Sequence, residues 1–210
     1  MNTDTMTDEE WAAARESLRV ASAGVDRVAE TLERGPAARA VSLLAGGGRV
    51  MTCASGASGI AAKKFAHSLC CIEIGASFMS PAEAVHGGLG GLHAGDVMVM
   101  VSRGGKTAEL LPILPVCARR GAALIGVTEN LSSPLARASD VVLPLHIERE
   151  SDPLDIMATA SFIATVALFD ALLAALMVKT GYRRASFGLV HPGGAVGEAL
   201  NGSAGSAGDA

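Results

Sequence analysis

Apolar residues recur at three- and four-residue steps from Thr7 to Arg34 (Trp11, Ala14, Leu18, Ala21, Val25, Val28 and Leu32), which predicts a helix with one sticky face. Thr7 is placed to cap it, with Glu10 three residues on in capping-box spacing. A second helix is predicted from Ala37 to Leu44, stopped by Gly46-Gly47-Gly48. The pattern then changes to short apolar runs, each closed by a small polar loop. Arg49–Ala54, Ser77–Met79, Asp96–Val101, Ala122–Val127 and Val141–Leu145 read as strands. Helices are predicted between them over Ile60–Leu69, from Ser80-Pro81, over Ala108–Arg120 and from Ser133-Pro134 to Ala138. Apolar strands alternating with helices over about 100 residues indicate a three-layer α/β sandwich on a parallel sheet. In such folds ligands lie beyond the carboxyl ends of the strands, so the loops there are where chemistry is to be sought.

Composition narrows the partners. The 210 residues are 50% hydrophobic, 18% charged and only 3% aromatic, with a formal charge of −4. A nucleic-acid binder would need clustered Lys and Arg or a base-stacking surface, and neither is present, so no nucleic-acid partner is expected. Ala158–Val178 is the one membrane candidate, but it is Ala-rich and carries Asp170. A buried or interface helix is expected there, with no membrane partner. Cys53, Cys70, Cys71 and Cys117 show no Cys-x-x-Cys spacing, and the acidic N-terminus does not resemble a signal peptide. Together these suggest a soluble cytoplasmic protein with reduced thiols.

Two strand-to-helix loops are rich in Ser, Thr and Gly: Ser55–Gly59 and Ser102–Thr107. Backbone amides at a helix start, supplemented by hydroxyls, bind a phosphate without net positive charge. Two such loops on successive strands favour a phosphorylated ligand. Gly105-Lys106-Thr107 ends like a nucleotide-binding P-loop, but the required earlier glycine is Met100. No G-x-G-x-x-G dinucleotide fingerprint occurs either, and nothing calls for an organic cofactor or a metal.

Several strings resemble the sugar isomerase (SIS) domain, in its arabinose 5-phosphate isomerase branch. They are Ser58-Gly59 with Lys63-Lys64, Pro81 to Gly90 (PAEAVHGGLG), Ser102–Glu109, Ser133–Asp140, Glu150 with Pro153, and His191 to Gly197 (HPGGAVG). They keep order and spacing from about Arg49 to Leu200, without the paired CBS modules that full-length relatives often append. The resemblance implies a five-stranded parallel sheet, a sugar-phosphate pocket at the strand ends and a homotetramer. It divides the chain into N-terminal helices for packing or oligomer contacts (1–48), a phosphosugar-binding domain (49–201) and a flexible tail (202–210). It assigns phosphate or substrate contacts to Ser55, Gly56, Ser58, Ser102, Arg103, Gly104, Gly105, Lys106 and Thr107, with His86 as a further substrate contact.

Two departures stand out. Ala57 replaces the family's first-loop lysine, and Lys106 stands where the second loop usually has a glutamate. Glu150 and His191 remain as catalytic candidates. Aldose–ketose interconversion through an enediol needs a base that moves a proton between adjacent carbons, and an acid/base pair for ring opening and oxygen protons. A carboxylate suits the first task and an imidazole the second, with His191 expected to reach in from a neighbouring subunit. Arg103 or Lys106 would supply the missing cation. The rival reading is a phosphosugar sensor without turnover. A third is an isomerase for a different phosphorylated or modified sugar.

Overall fold

The structure is a computed structural model that describes residues 5–193. Five strands, β1 (Val50–Cys53), β2 (Ala76–Phe78), β3 (Val97–Val101), β4 (Ala123–Thr128) and β5 (Val141–Pro144), form one sheet in the order β2-β1-β3-β4-β5. Every pairing is parallel, with Val50 opposite both Ala76 and Val97, Val97 opposite Ala123, and Ile125 opposite Val141. The strand order reverses between β1 and β3, so a crevice opens beyond their carboxyl ends.

Strand residues alternate strictly between two cores. Val97, Val99, Val101, Ile125 and Val127 point to one face, where they meet Phe65, Leu69, Phe169 and Leu172. Met98, Met100 and Leu124 point to the other, against Ile113, Leu114, Cys117 and Leu135. The first face is covered by α1 (Asp8–Thr31), α2 (Arg34–Leu44), α3 (Gly56–Cys71) and α7 (Ala160–Thr180). The second is covered by the short helices α4 (Pro81–Val85), α5 (Leu114–Arg120) and α6 (Pro134–Ala138). A seven-residue helix, α8 (Arg184–Val190), follows α7. Phe65 and Phe169 stack at 4.2 Å between centroids and join α3 to α7. Burying two such rings against each other adds about 1 kcal/mol beyond their area.

Three expectations change. Thr7 does cap α1 with the reciprocal Glu10 bond, but only Ala21, Gly24 and Val28 of its stripe are fully buried. Trp11 and Leu18 are 56% and 73% exposed, because among the described residues little packs against the apolar face of the first half of α1. The helix expected over Ala108–Arg120 begins only at Leu114. Pro112 and Pro115 have no N–H to donate, so the preceding residues close as turns (Leu110 N to Thr107 O, 2.9 Å). Finally, the loop after β1 is shorter than expected, because Gly56–Gly59 already form the first turn of α3.

α7 is the one helix among the described residues long and apolar enough to cross a membrane. Here one of its faces (Ala160, Ala164, Leu168, Leu172, Leu176) lies in the core, while Ile163 and Val178 are exposed.

Candidate active site

The two loops predicted to hold phosphate leave β1 and β3, the strands that flank the switch point. Ser55 is the N-cap of α3, yet its side chain makes no capping bond, which leaves the first amides of that helix available. Gly56 turns the chain at φ +60°, and Ser58 lies half-buried in the first turn. Gly59 brings α3 onto the strand end: a Cβ there would lie 2.8 Å from Ala54 O. An open cleft of about 350 Å³ follows, lined by Ser55, Gly56, Lys63, Phe78, Ser80 and Glu109. The Lys63 ammonium sits 4.9 Å from the Phe78 ring centroid.

Across from it, Ser102 is buried and its Oγ lies 2.7 Å from Thr107 Oγ1. Gly105 (φ +63°) accepts a bond from Leu135 N through its carbonyl (3.1 Å), and its own amide donates to Ser102 O (2.9 Å). Among the described residues no acceptor engages the amides of Arg103, Gly104, Lys106 or Thr107. Amides left open beside a hydroxyl pair form an anion-binding concavity. Lys106 is exposed at its rim and makes no ion pair among the described residues. His86 is exposed at the end of α4, outside the residues that line the cleft.

Arg103 is spoken for. Its Nε donates to Glu129 Oε2 (2.8 Å) and its Nη1 to Glu150 Oε1 (3.1 Å), while His146 Nδ1 lies 2.5 Å from Glu129 Oε1. The Glu150 side chain is only 4% exposed. Its Oε2 accepts from Thr159 N (2.9 Å), Ser161 N (3.0 Å) and Thr159 Oγ1 (3.3 Å) at the start of α7. Burial pushes this carboxyl up, but the Ser161 and Thr159 donors and the Arg103 charge outweigh it and hold the group below the ordinary carboxylate range. Glu150 is thus a buried carboxylate held in its ionised form, with one oxygen facing the partly exposed Arg103 guanidinium.

His191 lies elsewhere. It follows α8, with its Nδ1 3.0 Å from Phe187 O and its ring stacked on Phe187 at 3.8 Å. α7 begins beside Glu150 and, over 21 residues, runs about 30 Å to the amino ends of the strands, where Thr180 and Tyr182 lie beside Gly48 and Gly75. There Tyr182 Oη donates to Cys71 O at the far end of α3 (2.7 Å). The seven residues of α8 span only about 10 Å of the way back. His191 and Glu150 therefore do not meet within one subunit. Gly194–Gly197 of the same string lie outside the described residues.

Sequence reasoning singled out neither Lys63 nor Glu109 as a site residue. Lys63 follows Ser58-Gly59 and Glu109 follows the Ser102–Thr107 loop, but only the fold turns them onto one cleft wall. No group of three or more His, Cys, Asp or Glu suited to a metal occurs among the described residues.

A doubly wound parallel sheet with two Ser/Thr/Gly-rich strand-to-helix loops at its switch point defines an α/β domain whose candidate ligand site lies beyond the carboxyl ends of β1 and β3. The SIS domain profile matches residues 43–175, and the chain belongs to that family. It is 41% identical over 158 residues to the arabinose 5-phosphate isomerase KdsD of Pseudomonas aeruginosa, covering 75% of this chain and 48% of that protein. The chain spans about half the length of the curated relatives it matches. A Listeria monocytogenes protein provisionally assigned as a sugar-phosphate isomerase superposes with TM-score 0.86 at 36% identity, over 90% of this chain and 100% of that one. An Escherichia coli CFT073 protein in complex with arabinose 5-phosphate superposes with TM-score 0.83 at 29% identity, over 89% and 100%.

Proposed function

We propose that this protein is an aldose–ketose isomerase of sugar phosphates, interconverting arabinose 5-phosphate with its 2-ketose through an enediol. The observation that carries the reading is the Ser102–Thr107 cradle, with its hydroxyl pair and open amides, one arginine away from the buried Glu150 carboxylate. Phosphate binding at the cradle anchors one end of the sugar, so binding energy far from the reacting carbons orients them. Glu150 takes the proton from C2 and returns it to C1. His191 of a neighbouring subunit opens the ring and moves the proton between O1 and O2. Lys106 and Lys63 supply cations near the developing enediolate, in place of the lysine absent at Ala57. The working assembly is a homotetramer in the cytoplasm, a reading supported by the uncovered apolar faces of α1 and α7 and by four free thiols.

A second reading, a phosphosugar sensor without turnover, is favoured by Ala57, by Lys106 and by the full set of bonds on Glu150. Incubation with a panel of aldose and ketose phosphates in deuterated water separates the two. Deuterium at C1 or C2 by NMR is the expected result, with arabinose 5-phosphate fastest. Thermal stabilisation by the sugar phosphates with no exchange would instead establish the sensor.

A further inference from the structure

We propose that Arg103 is a substrate-responsive positioning residue: it holds Glu150 while the cleft is empty and passes its guanidinium to the phosphate of an arriving sugar phosphate, which releases Oε1 of Glu150 as the base. The proposal rests on the isomerase reading and deepens it.

Four observations converge. Arg103 is the second residue of the phosphate cradle, directly after the buried Ser102. Its backbone is pinned, since its carbonyl accepts from Glu129 N (3.0 Å) and Thr128 Oγ1 (2.9 Å), so the side chain is what moves. The two partners of the ion pair differ sharply: the arginine side chain is 44% exposed and the Glu150 side chain 4%. An incoming anion therefore reaches the guanidinium, not the carboxylate. Lastly, the two oxygens of Glu150 are held unequally. Oε2 has three donors at the start of α7, whereas among the described residues Oε1 has Arg103 alone.

A guanidinium has five donors, and Arg103 spends two of them on carboxylates. A phosphate dianion offers it a bidentate pairing and more charge than one carboxylate, so exchange of partners is favourable. Loss of the neighbouring cation makes Oε1 more basic at the moment substrate is seated. The C2 hydrogen then leaves as a proton to Oε1. Its electron pair becomes the C1–C2 double bond, and the carbonyl π pair moves to O1, which takes its proton from His191 of the neighbouring subunit to give the enediol. The other titratable groups facing this pair are Glu129, which tethers Nε; His146, which holds Glu129; and Asp155, whose Oδ1 accepts from Glu150 N (2.6 Å). None of them occupies Oε1.

The test separates the phosphate from the sugar. D-Arabinose, which lacks the phosphate, is incubated in deuterated water with and without phosphite, and C2 exchange is followed by NMR. Inorganic phosphate binding is measured in parallel by thermal shift. Wild type is expected to exchange arabinose about tenfold faster or more with phosphite present. Arg103→Gln is expected to lose that acceleration and to bind phosphate about tenfold more weakly. Arg103→Lys keeps the charge but not the fork and shows a reduced acceleration, so it carries the same test if the glutamine variant does not fold. Unchanged phosphite acceleration in either variant overturns the proposal while leaving the isomerase reading intact. A wild type that binds phosphate yet exchanges no sugar phosphate overturns the isomerase reading, and the release step with it.

Discussion

At Gly105 the cradle tolerates no side chain. The residue sits at φ +63°, and an added Cβ would fall against Ser133 Oγ and 2.9 Å from Thr128 Oγ1. Ser133 is not free to retreat, because its Oγ caps α6 by accepting from Ala136 N at 3.2 Å. Gly105→Ala should therefore cost about 2–4 kcal/mol, from positive-φ strain plus a backbone-fixed clash, and should abolish stabilisation by inorganic phosphate. Urea unfolding with and without phosphate measures both losses. Glu150 gives a second prediction at this scale. Its carboxyl is held below the ordinary range, so its contribution to stability is complete above about pH 4.3, the unfolded value, and drains away as pH falls through the lower folded value. Glu150→Gln should lower stability by roughly 1–3 kcal/mol near neutrality and remove exchange of sugar phosphates. The gap between wild type and variant should narrow as pH falls below about 4.3, as read from urea midpoints; a constant gap would show that Glu150 is not ionised in the fold.

At the scale of elements, hydrophobic period was more legible than hydrogen bonding. The apolar positions of Ala108–Arg120 behave as a helical pattern predicts, with Leu110, Ile113, Leu114 and Cys117 all buried. Only the backbone departs, because two prolines interrupt the ladder and the helix waits until Leu114. The capping box at Thr7 was readable because it is local, involving residues three apart. The stripe on α1 was readable too, but not that only its second half would be covered, since that depends on where α7 begins. The same distinction holds in the site. Ser102, Gly105 and Thr107 lie in one short string and could be picked out together. The chain His146–Glu129–Arg103–Glu150 joins the ends of three strands across 47 positions, and no spacing rule brings those residues together. Arg103 is expected from sequence to be a phosphate contact or the replacement cation; its pairing with Glu129 and Glu150, which links the loop to the buried carboxylate, is visible only in the fold.

At the scale of the whole molecule, the two catalytic candidates are kept apart by the helix that connects them. Glu150 caps the start of α7, and His191 follows α8 beyond its end, so a site that uses both needs two subunits. The surface of one subunit is consistent with such partnership: Trp11 and Leu18 on α1, Leu154, Ile156 and Met157 before α7, and Val178 near its end are all more than half exposed. Large apolar residues left exposed in this number are costly in water, and interfaces between copies commonly cover them. The shared-site arrangement has a consequence that no single-subunit mechanism reproduces. Glu150→Gln and His191→Ala should each be inactive alone. When the two variants are unfolded, mixed in equal amounts and refolded together, some sites receive an intact Glu150 from one chain and an intact His191 from the other. With random assembly that combination arises in about a quarter of sites, so exchange activity should return to about a quarter of the wild-type value. If each subunit used its own histidine, no site in the mixture would be complete, and the activity would stay at the level of the separate variants.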